Sequence, residues 1–214
     1  MTTQTENTDD TQLDGDDQAA WRERMKSVQA AHREKMRERQ HADRGLILIH
    51  TGNGKGKSSS AFGVVARALG WGQPVAIVQF IKGTWKTGEK QFFSRFPELV
   101  TWHTMGDGFT WDTQDKARDT AAAQAAFATA IDLMRGGDHA LVVLDEINIA
   151  LRYGFLSAEQ VLDGLEQRAT QTSVILTGRD APQALIDHAD LVSEMREIKH
   201  PFQAGIKARR GIDF

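Results

Sequence analysis

The residues best suited to chemistry lie together in Thr51-Gly52-Asn53-Gly54-Lys55-Gly56-Lys57-Ser58-Ser59. Glycines without Cβ let a backbone curl until several N–H groups face one anion. Lys57 adds a point charge, and the Ser58 hydroxyl suits Mg²⁺. Ser58, Ser59 and Ser60 then open a segment, Ala61 to Leu69, that reads as a helix, whose N-terminus attracts anions. The apolar run Leu46-Ile47-Leu48-Ile49 upstream reads as a buried strand. Strand, glycine-rich turn and helix together predict a phosphate-binding loop. Its expected nucleotide-binding residues are Gly52, Asn53, Gly54, Lys55, Gly56, Lys57, Ser58 and Ser59, with Lys57 also placed in catalysis. The loop is one residue shorter than G-x-x-x-x-G-K-[ST], because that pattern puts its first glycine where Thr51 stands. Phosphates should therefore be held differently from those of a GTPase or motor ATPase. The alternative is a glycine-rich turn with solubilising lysines. It is disfavoured because Lys55 and Lys57 would repel each other in a tight turn unless an anion lay between them.

A second candidate cluster is Asp145-Glu146, which ends the apolar run Leu141-Val142-Val143-Leu144. An apolar run closing on two acids is a weak signal alone. Downstream of a phosphate loop it predicts a Mg²⁺ site built from Ser58, Asp145 and Glu146, directly or through water. Two further loops carry candidates. Gln79-Phe80-Ile81-Lys82-Gly83-Thr84-Trp85 runs off a strand at the edge where open α/β sheets collect ligands, so Lys82 and Trp85 are candidates. Met105-Gly106-Asp107-Gly108-Phe109-Thr110-Trp111 carries two aromatics two apart. In an extended loop Phe109 and Trp111 would point the same way, towards a ligand or, alternatively, into the core.

The elements that must position these residues alternate. Strands are expected at Leu46–Ile49, Pro74–Phe80, Leu99–Thr104, His139–Leu144, Ser173–Thr177 and Leu191–Ile198. Helices are expected after the loop, over Thr113–Arg135, from Ser157 to about Arg168 with capping-box spacing to Gln160, and from Pro182 to His188. That alternation predicts an α/β fold: a doubly wound, mainly parallel sheet of the P-loop NTPase type over residues 45–214. Before it, residues 1–18 are polar and acidic and read as disordered. Residues 19–44 read as a basic amphipathic helix, with Trp21, Met25 and Val28 at helical spacing. It is either a solvated helix or an arm covering a site or a partner subunit. A nucleic-acid arm is disfavoured, because aromatics do not interleave with the basic residues.

Composition narrows the classes further. The chain has 214 residues, a net charge of −3 and no cysteine. The charge implies no general attraction to nucleic acid or membrane. Without cysteine there are no disulfides, thiolate metal sites or thiol nucleophile. No apolar run is long enough to span a bilayer, so a cytoplasmic protein is expected. The seven histidines are scattered, which disfavours a histidine zinc site. G-x-S-x-G and D-x-H-x-x-G are both missing, and no residue stands out to orient an attacking hydroxyl or water.

Taken as a set, these motifs resemble those of phosphate-loop ATP:corrinoid adenosyltransferases, also called cob(I)yrinic acid a,c-diamide adenosyltransferases. The resemblance runs from about His41 to Phe214. It rests on Arg44-Gly45 leading into Thr51 to Ser58, on Val78 to Trp85, and on Gly108-Phe109-Thr110-Trp111. Val143 to Glu146, Ile175-Leu176-Thr177-Gly178-Arg179, and Lys199-His200 through Gly211-Ile212-Asp213 complete it. Ser58 departs from the family's usual threonine but keeps the hydroxyl. The resemblance implies that Co(I) of a corrinoid attacks the 5′ carbon of ATP and expels triphosphate, which needs no general base. It implies ATP and a corrinoid (cobalamin, cobinamide or cobyrinic acid diamide) as substrates, Mg²⁺, an electron donor such as a flavoprotein, and a homodimer whose N-terminal helix covers an active site. It also suits Phe109 and Trp111 to the apolar displacement of the lower axial ligand of cobalt. A P-loop ATPase or small-molecule kinase cleaving at the γ-phosphate is the alternative, and a nucleotide-dependent binding module is a third reading.

Overall fold

The computed structural model describes residues 15–40, 42–81, 87–104 and 115–213. Two compact units are distinguished, residues 1–42 and 43–214. Within the first, helix α1 spans Gly15–Arg37. It starts before and ends before the 19–44 expected from the sequence. Trp21, Val28 and Met36 all lie exposed along it.

The second unit is built on six strands: β1 (Ile47–Thr51), β2 (Val75–Gln79), β3 (Val100–Thr104), β4 (Leu141–Asp145), β5 (Ser173–Thr177) and β6 (Leu191–Glu194). They form one sheet in the order β3-β2-β4-β5-β1-β6, and every pairing is parallel. Parallel neighbours need a crossover, which the intervening helices supply. These are α2 (Lys57–Gly70), α3 (Gly88–Phe93), α4 (Lys116–Gly136), α5 (Ile147–Arg152), α6 (Ala158–Glu166) and α7 (Gln183–His188).

Side chains alternate across a strand, so the sheet has two apolar faces. Ile47, Ile49, Val78, Val142, Leu144, Val174 and Leu176 face one layer, packing with Ala123, Phe127, Ala130 and Met134 of α4 and with α5, α6 and α7. Val75, Ile77, Leu141, Val143 and Ile175 face the other, against Ala61, Phe62, Val65 and Ala68 of α2 and Phe93 of α3. Each fully buried aliphatic chain contributes about 1.5–3 kcal/mol of transfer free energy. All six strands run the same way, so Thr51, Gln79, Asp145 and Thr177 end at one edge of the sheet.

Local signals mostly held. Ser157 and Gln160 form a reciprocal capping box at the start of α6. Asp115 caps α4, and Gly137, at φ 75°, ends it. Helices α3 and α5 were not foreseen; at six residues each they are too short to show a helical period. The last strand is shorter than the Leu191–Ile198 expected. It stops at Glu194 because the Met195 N–H turns to the Thr51 carbonyl, at 2.8 Å.

Arg44 grips Asp190 with both guanidinium nitrogens, at 2.8 and 2.5 Å, while Asp190 also accepts the Ile47 N–H at 2.9 Å. The pair fastens the start of β1 to the start of β6. Hydrogen bonds from Arg44 hold the Asp190 carboxyl down at about 2. A depressed carboxylate stabilises the fold above its unfolded value, near 4, and loses that effect as pH falls through about 2. Asp190→Asn is therefore expected to cost about 1 kcal/mol at pH 7, kept small because Arg44 is half exposed. Denaturant titrations of both proteins should converge between pH 4 and pH 2. A gap that persists unchanged in acid would rule out the ion pair as its source.

Candidate active site

Beyond Thr51 the chain enters the phosphate loop, and its glycines answer to two different demands. A Cβ on Gly52 would lie 2.5 Å from the Met195 carbonyl oxygen, and one on Gly54 would lie 2.7 Å from the Arg196 carbonyl. The segment after β6 passes that close because the Gly54 N–H donates to the Met195 carbonyl at 2.6 Å. Gly56 has open space around it but a φ of 112°, so conformation rather than room requires glycine there. Helix α2 starts at the next residue without a side-chain cap, leaving its first amides for an anion. Lys57 is buried, and its ammonium donates to the Gly54 carbonyl at 2.7 Å. Burial lowers its pKa, opposed by the charge of Glu146. Beneath the loop the buried His50 ring lies 3.3 Å from the Lys57 carbonyl. A carbonyl only accepts, so Nδ1 carries the proton; burial keeps the ring neutral by lowering its pKa.

Asp145 ends β4 inside the protein. Its carboxylate accepts the Thr177 hydroxyl at 2.9 Å and the Gln79 amide at 3.2 Å. Burial pushes Asp145 up, while hydrogen bonds from Ser58, Thr177 and Gln79 oppose the rise. Glu146 follows at φ 62°, a left-handed conformation that costs a non-glycine residue about 1–3 kcal/mol. Its N–H is held by the Thr177 oxygen at 2.8 Å. Burial first, and the neighbouring Asp145 charge second, push Glu146 up to about 7. Two carboxylates that resist ionising side by side call for a cation. Among the described residues no cluster of three or more His, Cys, Asp or Glu could cage a metal alone. Asp145, Glu146 and Ser58 are the residues on this wall that could hold a divalent cation, which would need waters or substrate oxygens to complete its shell.

Loop and acids meet at one cavity of about 470 Å³. Lys55, Gly56, Lys57, Ser58, Ser59, Asp145 and Glu146 lie on its wall, whereas Gly52, Asn53 and Gly54 do not. Gly52 and Gly54 pack the loop against the chain after β6. Phe62, Ile81 and Ile149 supply apolar wall, and Gln79, Glu89, Arg179 and Asp213 supply polar wall; Gln79, Arg179 and Asp213 fall in stretches that carry the resemblance, but none of the four was expected as a site residue. Gln79 and Arg179 sit at or just beyond strand ends, where the rule for parallel sheets could have flagged them. Nothing local marks Asp213. Lys55 and Lys57 avoid each other without an anion between them, contrary to the expected repulsion. Lys57 turns inward to Gly54, and Lys55 turns outward to the Asp213 carboxylate at 2.5 Å. Lys82, Trp85, Phe109 and Trp111 lie outside the described residues.

An uncapped helix behind a glycine loop, a buried lysine and a facing acidic pair, all at one edge of a parallel sheet, define an α/β fold of the P-loop NTPase type. Residues 43–214 match the family model for ATP:corrinoid adenosyltransferase BtuR/CobO/CobP, and the chain belongs to that family. It is 53% identical over 193 residues to the corrinoid adenosyltransferase of Pseudomonas aeruginosa, covering 90% of this chain and 95% of the relative. Similarity to that of a Sinorhizobium species is 47% over 186 residues, covering 86% and 87%. With that of Escherichia coli K12 it is 44% over 172 residues, covering 80% and 87%. The activity is adenosyl transfer from ATP to a corrinoid, in cobalamin biosynthesis or salvage. No described helix is long and apolar enough to cross a membrane.

Proposed function

We propose that the cavity holds Mg²⁺·ATP with its triphosphate on the loop and its 5′ carbon turned towards the corrin. The observation that carries this is the shared cavity: Lys55, Lys57 and the start of α2 on one side, Asp145 and Glu146 on the other. In the reaction, Co(I) supplies the electron pair for a new Co–C bond at C5′. The C5′–O bond breaks, triphosphate leaves with its electrons, and cobalt ends formally as Co(III). The oxygen that leaves already belongs to a phosphate, so no proton must move. The protein's task is to bind, orient and neutralise. Lys57 swings from the Gly54 carbonyl to a phosphate oxygen, and the amides of Lys57, Ser58 and Ser59 donate to the same group. Asp145, Glu146 and Ser58 would hold Mg²⁺, which supplies countercharge to the triphosphate. Thr177 and Gln79 keep the Asp145 carboxylate pointed at the cavity.

Phe109 and Trp111 are assigned to the lower face of the corrinoid, where bulky groups without a donated electron pair favour a cobalt that can be reduced. The remaining parts of the reading are a flavoprotein-class electron donor, a homodimer in which α1 covers a site, and a cytoplasmic location. Incubation with ATP, Mg²⁺ and a chemically reduced corrinoid tests the central claim. Adenosylcorrinoid and inorganic triphosphate should appear in equal amounts. ADP or orthophosphate as the first product would replace the reading with γ-phosphate cleavage.

A further inference from the structure

Among the acids on the cavity wall, Asp213 is the one paired with a lysine of the phosphate loop. Asp213 projects into the cavity, where one oxygen pairs with the Lys55 ammonium at 2.5 Å and the other accepts the Arg209 N–H at 2.8 Å. The carboxylate is not a loose end. The Asp213 N–H closes a turn onto the Arg209 carbonyl at 2.8 Å, and only 16% of the side chain is exposed. Lys55 and the Arg209 amide together favour the ionised form. Lys55 is thus paired before any nucleotide arrives, so an exposed cation of the cavity wall is shared with an internal anion.

We propose that Asp213 is a positioning residue that competes with the triphosphate for Lys55, holding the lysine at the mouth of the loop and weakening the grip on the product. The inference rests on the reading that the loop binds the triphosphate. Its logic follows from the reaction. ATP enters with its triphosphate esterified, whereas the product leaves with the same chain bearing an additional negative charge. Every contact that neutralises the leaving group therefore grips the free product at least as well. Without an opposing group, neutralisation in the transition state would be followed by slow release. An anion clamped by its own turn, within reach of Lys55, supplies that opposition without touching the reacting carbon. Lys57 differs: its ammonium donates to the Gly54 carbonyl and no carboxylate ion-pairs with it at salt-bridge distance among the described residues.

The test is binding of inorganic tripolyphosphate with Mg²⁺ to the full chain by calorimetry, with Asp213→Asn, Asp213→Glu and Lys55→Met beside the unaltered protein. Asp213→Asn should bind about fivefold tighter, the equivalent of one partly exposed ion pair. Asp213→Glu should restore the original affinity. In a Lys55→Met background Asp213→Asn should change nothing. In turnover, Asp213→Asn should lower KM for ATP and lower kcat, with product release, read as the gap between single-turnover and steady-state rates, becoming the slow step. Unchanged or weaker tripolyphosphate binding in Asp213→Asn would overturn the proposal, leaving Asp213 a tether for its own segment. So would tightening that persists without Lys55. Loss of the loop reading itself would show differently: Lys57→Ala would then bind tripolyphosphate as well as the unaltered protein.

Discussion

Lys57→Ala should reduce adenosyl transfer by about 10²–10³-fold, the range seen when one preorganised charge-stabilising donor is removed from an active site. The size follows from where the ammonium sits. Lys57 is 7% exposed, and among the described residues its ammonium donates a hydrogen bond to the Gly54 carbonyl. Burial already works against its charge, so an arriving phosphate relieves a standing cost as well as making a charge-assisted bond. The fold should survive. The loop's shape is set by backbone bonds from Gly54 and Met195 and by glycine conformations, none of which uses the lysine side chain. Circular dichroism and the melting temperature without ligand should therefore stay close to those of the parent protein. The stabilisation that saturating Mg²⁺·ATP adds to the parent should vanish in the variant. Near-normal turnover in a folded Lys57→Ala protein would remove the loop from the mechanism. Lys57→Arg is not a milder version of this test, since the larger guanidinium has no room where Nζ already lies 2.7 Å from a carbonyl.

The sequence revealed this site unevenly, and the reasons are physical. The loop, the acidic pair and the parallel sheet could all be read, because each depends on short-range rules. Glycines next to lysine and serine, an apolar run ending in acids, and strands alternating with helices all show within a dozen residues. What stayed hidden depends on distant chain segments. Gly52 and Gly54 read as phosphate ligands, yet they are glycine because Met195 and Arg196, some 140 residues later, press against them. Thr177 connects the two acids, as donor to Asp145 and acceptor from the Glu146 N–H, only because β5 lies beside β4. Asp213 reaches Lys55 through a turn that follows no hydrophobic period. Likewise β6 was drawn too long, since Ile198 looked like a strand residue but is 87% exposed. In each case the hidden information was which part of the chain returns to the phosphate loop.

Glu146→Gln should make the ligand-free protein more stable and the enzyme worse, and the two effects should separate with pH. Burial and the Asp145 charge raise Glu146 from 4.5 to about 7. Between those values the native state holds a proton that the unfolded chain has released, so stability falls as pH rises through this window. At pH 8 the charged form has to be carried in full. Glutamine removes that cost while keeping the shape and the left-handed backbone. The variant should therefore be about 1–3 kcal/mol more stable than the parent at pH 8, less than the full shift because the side chain is only partly out of water. Below pH 4.5 the two should coincide. Addition of Mg²⁺·ATP should reverse the order, because a cation in the site turns the same charge into a favourable contact that glutamine cannot make. For the parent, Mg²⁺-dependent ATP binding should tighten from pH 6 to pH 8 as the proton on Glu146 ceases to compete with the metal, levelling off above about 7. The variant should need far more Mg²⁺ and show little of that slope. Melting curves at pH 4.5 and 8, each with and without Mg²⁺·ATP, check both halves. Equal stability of the two proteins at pH 8 would mean that the carboxylate carries no burial cost. An unchanged Mg²⁺ requirement would mean that Glu146 holds something other than the metal.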